Sequence, residues 1–273
     1  MSECSISNLG SCIMESFSNF LIDLLNLPIK PLLEGIKNLL IQPVNINLFL
    51  EIWSIIIYIL SLFYGLLLLF IGFQFIVSGS SPEKRENSKT NLANIVIMMV
   101  LIQASFLLYE LVLEIVSSLT LTIFSLIPSD FFLMINNNLI GLELQIVLLI
   151  PYIMTLVLTL ILLSLRYILA GMGVILLAIG IFLYFLEPLK NYGKLILNFL
   201  GVLIVLPFFY SIILLASSKF LEVNIFSNLK ILVMIGGFSL LNISSLILIL
   251  FVIIKSALAV KTPIKEIKST FSN

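Results

Sequence analysis

The chain has 273 residues, 61% of them hydrophobic and 10% charged, with a mean hydropathy of +1.25 and a formal net charge of zero. Soluble domains run near half apolar with about a quarter charged, so the composition excludes them and defines a membrane protein. Zero net charge removes any global attraction to nucleic acid or acidic lipid, and the absence of histidine removes the commonest metal ligand and general base.

Several apolar stretches exceed the ~20 residues that a helix needs to cross about 30 Å of hydrocarbon. They are too long, and alternate too little, for barrel strands. The expected fold is all-α: a polytopic helical membrane protein of about five transmembrane helices, two of them unusually long, preceded by amphipathic interfacial helices. Residues 1–50 form an external N-terminal segment, 51–254 the transmembrane domain and 255–273 a basic cytoplasmic tail.

The first 29 residues hold no Lys or Arg, so no signal peptide is expected and the chain is expected to be used whole. Cys4 and Cys12 are too few for a four-ligand metal site; they are either a disulfide facing an oxidising exterior or two idle thiols. Over residues 13–26, Met14, Phe17, Leu21 and Leu24 recur at steps of three or four, with Glu15, Ser18, Asn19 and Asp23 on the other side. Pro28 and Pro31 are expected to end this amphipathic helix, and Pro31 to open a second with Leu32, Leu33, Ile36, Leu39 and Leu40 on one face. Both are short and polar enough to lie in the interface.

The first span is expected over 52–77, with Trp53 and Tyr58 at headgroup level. Gly79 suits a helix end in the left-handed region, and Ser81 and Pro82 supply the N-cap and first position of the next helix. That makes a tight hairpin tip. Its charges are Glu83, Lys84, Arg85, Glu86 and Lys89, with the two glutamates in the first turns, where a helix dipole favours carboxylates.

Two apolar runs, 92–127 and 152–187, each hold about 36 residues, or roughly 54 Å as helix, beyond one bilayer crossing. Pro128 and the Asn136, Asn137, Asn138 loop follow the first, and Pro151 and Pro188 bracket the second. Further spans are expected over 195–216, kinked at Pro207, and over 231–254. Gly171 and Gly173, with Ala170 and Ala178, permit close helix approach.

Cation placement chooses between five spans and six. With five, one side carries Lys84, Arg85, Lys89, Lys190, Lys194, Lys255, Lys261, Lys265 and Lys268, and the other only Lys30, Lys37, Lys219 and Lys230. Five spans in the inner cell membrane, N-terminus outside and C-terminus inside, follow the positive-inside rule.

Ionisable groups inside a span cost ~3 kcal/mol each, so Glu110, Glu114 and Arg166 need partners. If the two long runs lie antiparallel, Arg166 falls at a depth between the two carboxylates. The expected group is either a structural clasp or the polar wall of a conduit.

No Walker, nucleophile-elbow, zinc or dinucleotide pattern occurs, so no enzyme, metal or cofactor is expected. The hairpin tip balances three cations with two anions, and direct nucleic-acid contact does not follow from it.

The stretch GFQFIVSGSSPEKRENSKTNLANIVIMMVLIQ, residues 72–103, resembles the turn of type IV secretion pilins and related membrane subunits, carried by Gly79, Ser81, Pro82, Glu83, Lys84 and Lys89. Residues 165–218, with Arg166, Pro188 and Pro207, resemble the TrbL-type polytopic subunit of type IV secretion and archaeal Ced-type DNA transfer. The resemblance implies a non-catalytic membrane core component of a conjugation or DNA-import apparatus, working as a homo-oligomer beside a pilin-like membrane protein and a cytoplasmic ATPase. The hairpin tip and basic tail would then either face that ATPase or be ordinary positive-inside loops. A small-molecule or ion transporter and a structural membrane scaffold are the alternatives; no internal repeat of the transporter kind is visible.

Overall fold

The computed structural model describes residues 9–77, 82–133, 139–223, 226 and 229–270. Among these the protein is all-α, with seven helices: α1 (Leu9–Ile41), α2 (Leu50–Val77), α3 (Pro82–Gln103), α4 (Ser105–Phe124), α5 (Leu139–Phe185), α6 (Lys190–Phe220) and α7 (Lys230–Thr270). Five stretches are long and apolar enough to cross a membrane: Ile46–Val77, Ser105–Phe124, Val147–Phe185, Glu187–Phe220 and Lys230–Phe251.

Three expectations need correction. α1 is one helix through Pro28 and Pro31, not two. Each proline withholds one N–H from the carbonyl four residues earlier, but Pro28, Pro31, Leu24 and Leu27 are all exposed, so the freed carbonyls face outward rather than into a core. α5 likewise begins well before Pro151 and runs through it, for 47 residues. The 92–127 run is not one helix: an irregular residue, Ala104, separates α3 from α4, although Ala104 N still donates to Val100 O and Leu108 N to Ala104 O. Beyond these corrections, α7 carries the chain helically past residue 254 into the basic tail. Gly79 and Ser81, the Asn136 to Asn138 loop and Cys4, with any Cys4–Cys12 pairing, lie outside the described residues.

The chain divides into two compact units, and the division cuts across the segments 1–50, 51–254 and 255–273. One unit comprises the described residues of Met1–Gln42, Ser117–Leu165 and Pro207–Ile247. Here α1 buries Ile22, Asn26, Ile29, Ile36 and Leu40, a stripe at helical spacing, and leaves Phe17, Phe20, Leu24 and Leu27 outward. Of the apolar face that the sequence picks out over 13–26, Phe17 and Leu24 are thus outward and Leu21 half-buried. Tyr152 Oη donates to Phe132 O at 3.0 Å, Phe238 packs on both rings, and Asn242 Nδ2 donates to Thr155 O at 3.2 Å. The hydroxyls of Tyr210 and Ser245 are also bonded.

The other unit comprises Pro43–Val116, Arg166–Leu206 and the described residues of Leu248–Asn273. Its first core joins Ile57, Leu60, Tyr64 and Ile71 of α2 to Ile95, Met98 and Ile102 of α3 and to Ala178, Ile181 and Phe182 of α5. A second joins Tyr109 and Leu113 of α4 to Ala170 and Val174 of α5 and to Leu203 and Ile204 of α6. Trp53 is half-buried: its Nε1 donates to Ser105 Oγ at 3.0 Å, and its ring meets Phe106 edge-on at 5.4 Å. A short 3-10 turn, Glu187–Leu189, reverses the chain between α5 and α6. Gly193 makes the reversal possible, because a side chain there would strike the Tyr184 backbone, 2.6 Å from its Cα.

Candidate functional site

α4 and α5 meet in the expected antiparallel register, since Tyr109 and Ala170, level residues on that register, are joined by a 2.6 Å bond from Tyr109 Oη to Ala170 O. Gly173 admits the tyrosine, for a methyl at that position would overlap its hydroxyl and stand 3.0 Å from Leu200 Cδ2.

Level does not mean facing. The residues that α4 and the end of α3 bury are Ile102, Ser105, Tyr109, Leu113 and Thr120, a single stripe. Glu110 and Glu114 each follow a buried residue and so point about 100° round the helix from it. Glu110 is half-buried and Glu114 exposed. The carbonyl bonds that Arg166 makes run to α6 rather than to this face.

Arg166 is only 8% exposed and turns to α6 instead. Its Nε donates to Leu203 O at 3.0 Å, and Nη2 reaches Ile204 O at 3.5 Å. The reason lies four residues further along α6, which runs through Pro207 as one helix. A proline has no N–H, so the carbonyl four residues before it loses its helical donor. For Pro207 that carbonyl is Leu203 O. In a low-dielectric interior an unmet carbonyl costs about 1–3 kcal/mol, and a guanidinium is a donor that cannot be deprotonated. Arg166 and Pro207 thus answer one another through the α6 backbone. The spacing of Leu203 to Pro207 carried this signal in the sequence; Tyr109 and its carbonyl partner had none beyond aromatic size.

The acidic face is left as the chemically unusual feature. Of the most apolar 18-residue stretch of α4, 17% is buried, against 44% in α5 and α6. Leu107, Leu111 and Ile115 share its exposed surface with Glu114. Ser118, Thr122 and Ser125 continue the polar line, Thr122 and Ser125 donating to carbonyls of their own helix. Two carboxylates one turn apart in mid-span can accept hydrogen bonds from a partner's donors, or hold a proton or cation. Among the described residues no cluster suits a metal ion.

Of the residues expected at the hairpin tip, Pro82 is the first residue of α3, and Glu83, Lys84, Arg85, Glu86 and Lys89 are all exposed. At the α5–α6 reversal, the Lys190 ammonium lies 5.6 Å from the centre of the Tyr184 ring. No protein-family model matches the chain, and no curated protein or solved structure matches it.

Proposed function

We propose that this protein is a non-catalytic integral membrane subunit of a type IV secretion-like apparatus for DNA transfer, working with a pilin-like membrane protein and a cytoplasmic ATPase. The observation that carries the subunit reading is the exposure of Glu114, with half-buried Glu110, in mid-span on α4. A carboxylate facing lipid costs ~3 kcal/mol, whereas one facing a protein donor or an internal water path is satisfied. The face therefore supports an assembled state in which another subunit covers α4. The secretion assignment rests on the resemblance of residues 72–103 and 165–218, and the inner-membrane orientation on the cation bias. The exposed cations Arg85 and Lys89 on α3 are the surface offered to the ATPase.

The test is purification of the full chain from its native membranes in mild detergent. Recovery of a motor ATPase and a two-span pilin-like protein, both weakened by joint replacement of Arg85 and Lys89 with Gln, is the expected result. A monodisperse single chain carrying lipid alone would overturn the proposal.

A further inference from the structure

We infer that the groove between the end of α2 and the start of α3 binds an anionic phospholipid, its phosphate on Lys84 and an acyl chain along Phe70, Phe73 and Val77. This requires only that the chain sit in a membrane, and nothing of the secretion reading. The groove has a volume of about 460 Å³, and its two walls differ in chemistry. On the α2 side, Phe70, Phe73 and Val77 are 61%, 67% and 76% exposed, and they continue the outward apolar surface of Leu62, Leu66 and Leu69. On the α3 side stand Lys84, Asn87 and Asn91, with Gln74 of α2 adding a further amide.

That division matches an amphiphile. Three apolar residues over two turns give about 10 Å of surface for a chain, and they end where the apolar span ends, at Val77. The amides of Asn87 and Asn91 and the ammonium of Lys84 stand beside that apolar surface, across the groove from it, with Lys84 nearest the α2–α3 turn. Ser88 is not available to a ligand, because its hydroxyl donates to Lys84 O at 3.0 Å. Among the lining residues Lys84 is the charged one, and among the described residues it forms no ion pair. Glu83, Arg85, Glu86 and Lys89 flank it on α3 without lining the groove. A net positive groove favours a phosphate with no ammonium of its own over a zwitterionic headgroup.

The experiment measures lipid binding to the full chain in neutral detergent, by native mass spectrometry. The probes are phosphatidylglycerol and phosphatidylcholine with identical acyl chains, and inorganic phosphate as a soluble competitor. Phosphatidylglycerol is expected to bind in preference to phosphatidylcholine, with a loss of about fivefold in Lys84→Gln. Lys89→Gln, which removes the same charge outside the groove, is expected to change binding less than about twofold, and millimolar phosphate not to compete. Equal binding of the two lipids, an unchanged Lys84→Gln, an equal loss in Lys89→Gln, or displacement by inorganic phosphate would each overturn the inference. Lys84 is exposed, so the variant's lipid-free melting temperature is expected to match the parent and to confirm an intact fold.

Discussion

Replacing Arg166 by Met, alone and with Pro207→Ala, tests whether the guanidinium is there to serve the carbonyl that the proline frees. Methionine keeps an apolar stem of similar reach and removes the donors. The Nε to Leu203 O bond is 3.0 Å long and buried, and a bond from a charged donor contributes about 1.5–3 kcal/mol in soluble proteins. Interhelical bonds within membranes measure lower, about 0.6 kcal/mol on average and about 1.7 at most, so about 1–2 kcal/mol is the reasonable range here. The single variant mixes two effects, since it also removes the cost of burying a charge. The cycle separates them: Pro207→Ala restores the N–H to Leu203 O, and the arginine bond then becomes redundant. Arg166→Met is expected to cost about 1–2 kcal/mol more in the parent chain than in the Pro207→Ala background. Reversible unfolding in bicelles, by steric trapping or detergent titration, supplies the four free energies. An equal cost in both backgrounds, within about 0.3 kcal/mol, would refute the reasoning.

Gly193→Ala is expected to destabilise by about 1–3 kcal/mol, because the new methyl would stand 2.6 Å from Tyr184 Cα and 2.8 Å from Gly180 O, and backbone cannot give way as a side chain does. Gly65→Ala on α2, where a methyl meets nothing within 4 Å, is expected to gain about 0.5–1 kcal/mol from helix propensity, so equal melting temperatures for the two variants would contradict the packing described. Tyr64→Phe is expected to raise stability by about 1 kcal/mol, since the buried Tyr64 hydroxyl has no hydrogen-bond partner among the described residues; a fall in melting temperature would mean that it has one.

Much of the architecture is legible in the sequence because apolar length is a coarse and robust signal. Five spans, the stop before Pro128, and Pro82 opening α3 all follow from composition and local chemistry. Three prolines mislead as helix boundaries for one physical reason. Pro28, Pro31 and Pro151 are all exposed, so the hydrogen bonds they remove are not lost inside a core, and the helices continue through them. Run lengths suffice to set the register of α4 against α5, and the level pair Tyr109 and Ala170 lies on it. They do not set helical phase, because Leu107, Leu108, Leu111, Leu113 and Ile115 make α4 apolar all round, leaving no amphipathic contrast to choose the inner face. Register alone therefore gives the depth of Arg166 but not its partners.

Whether protein covers the α4 face is most directly measured by site-specific photo-crosslinking in native membranes. A photoreactive residue at Leu111, which stands between Glu110 and Glu114 and is 55% exposed, is compared with one at Leu62 on α2, 58% exposed. Discrete protein adducts from position 111 and lipid adducts from position 62 are the predicted result. Lipid adducts alone from both positions would contradict the account.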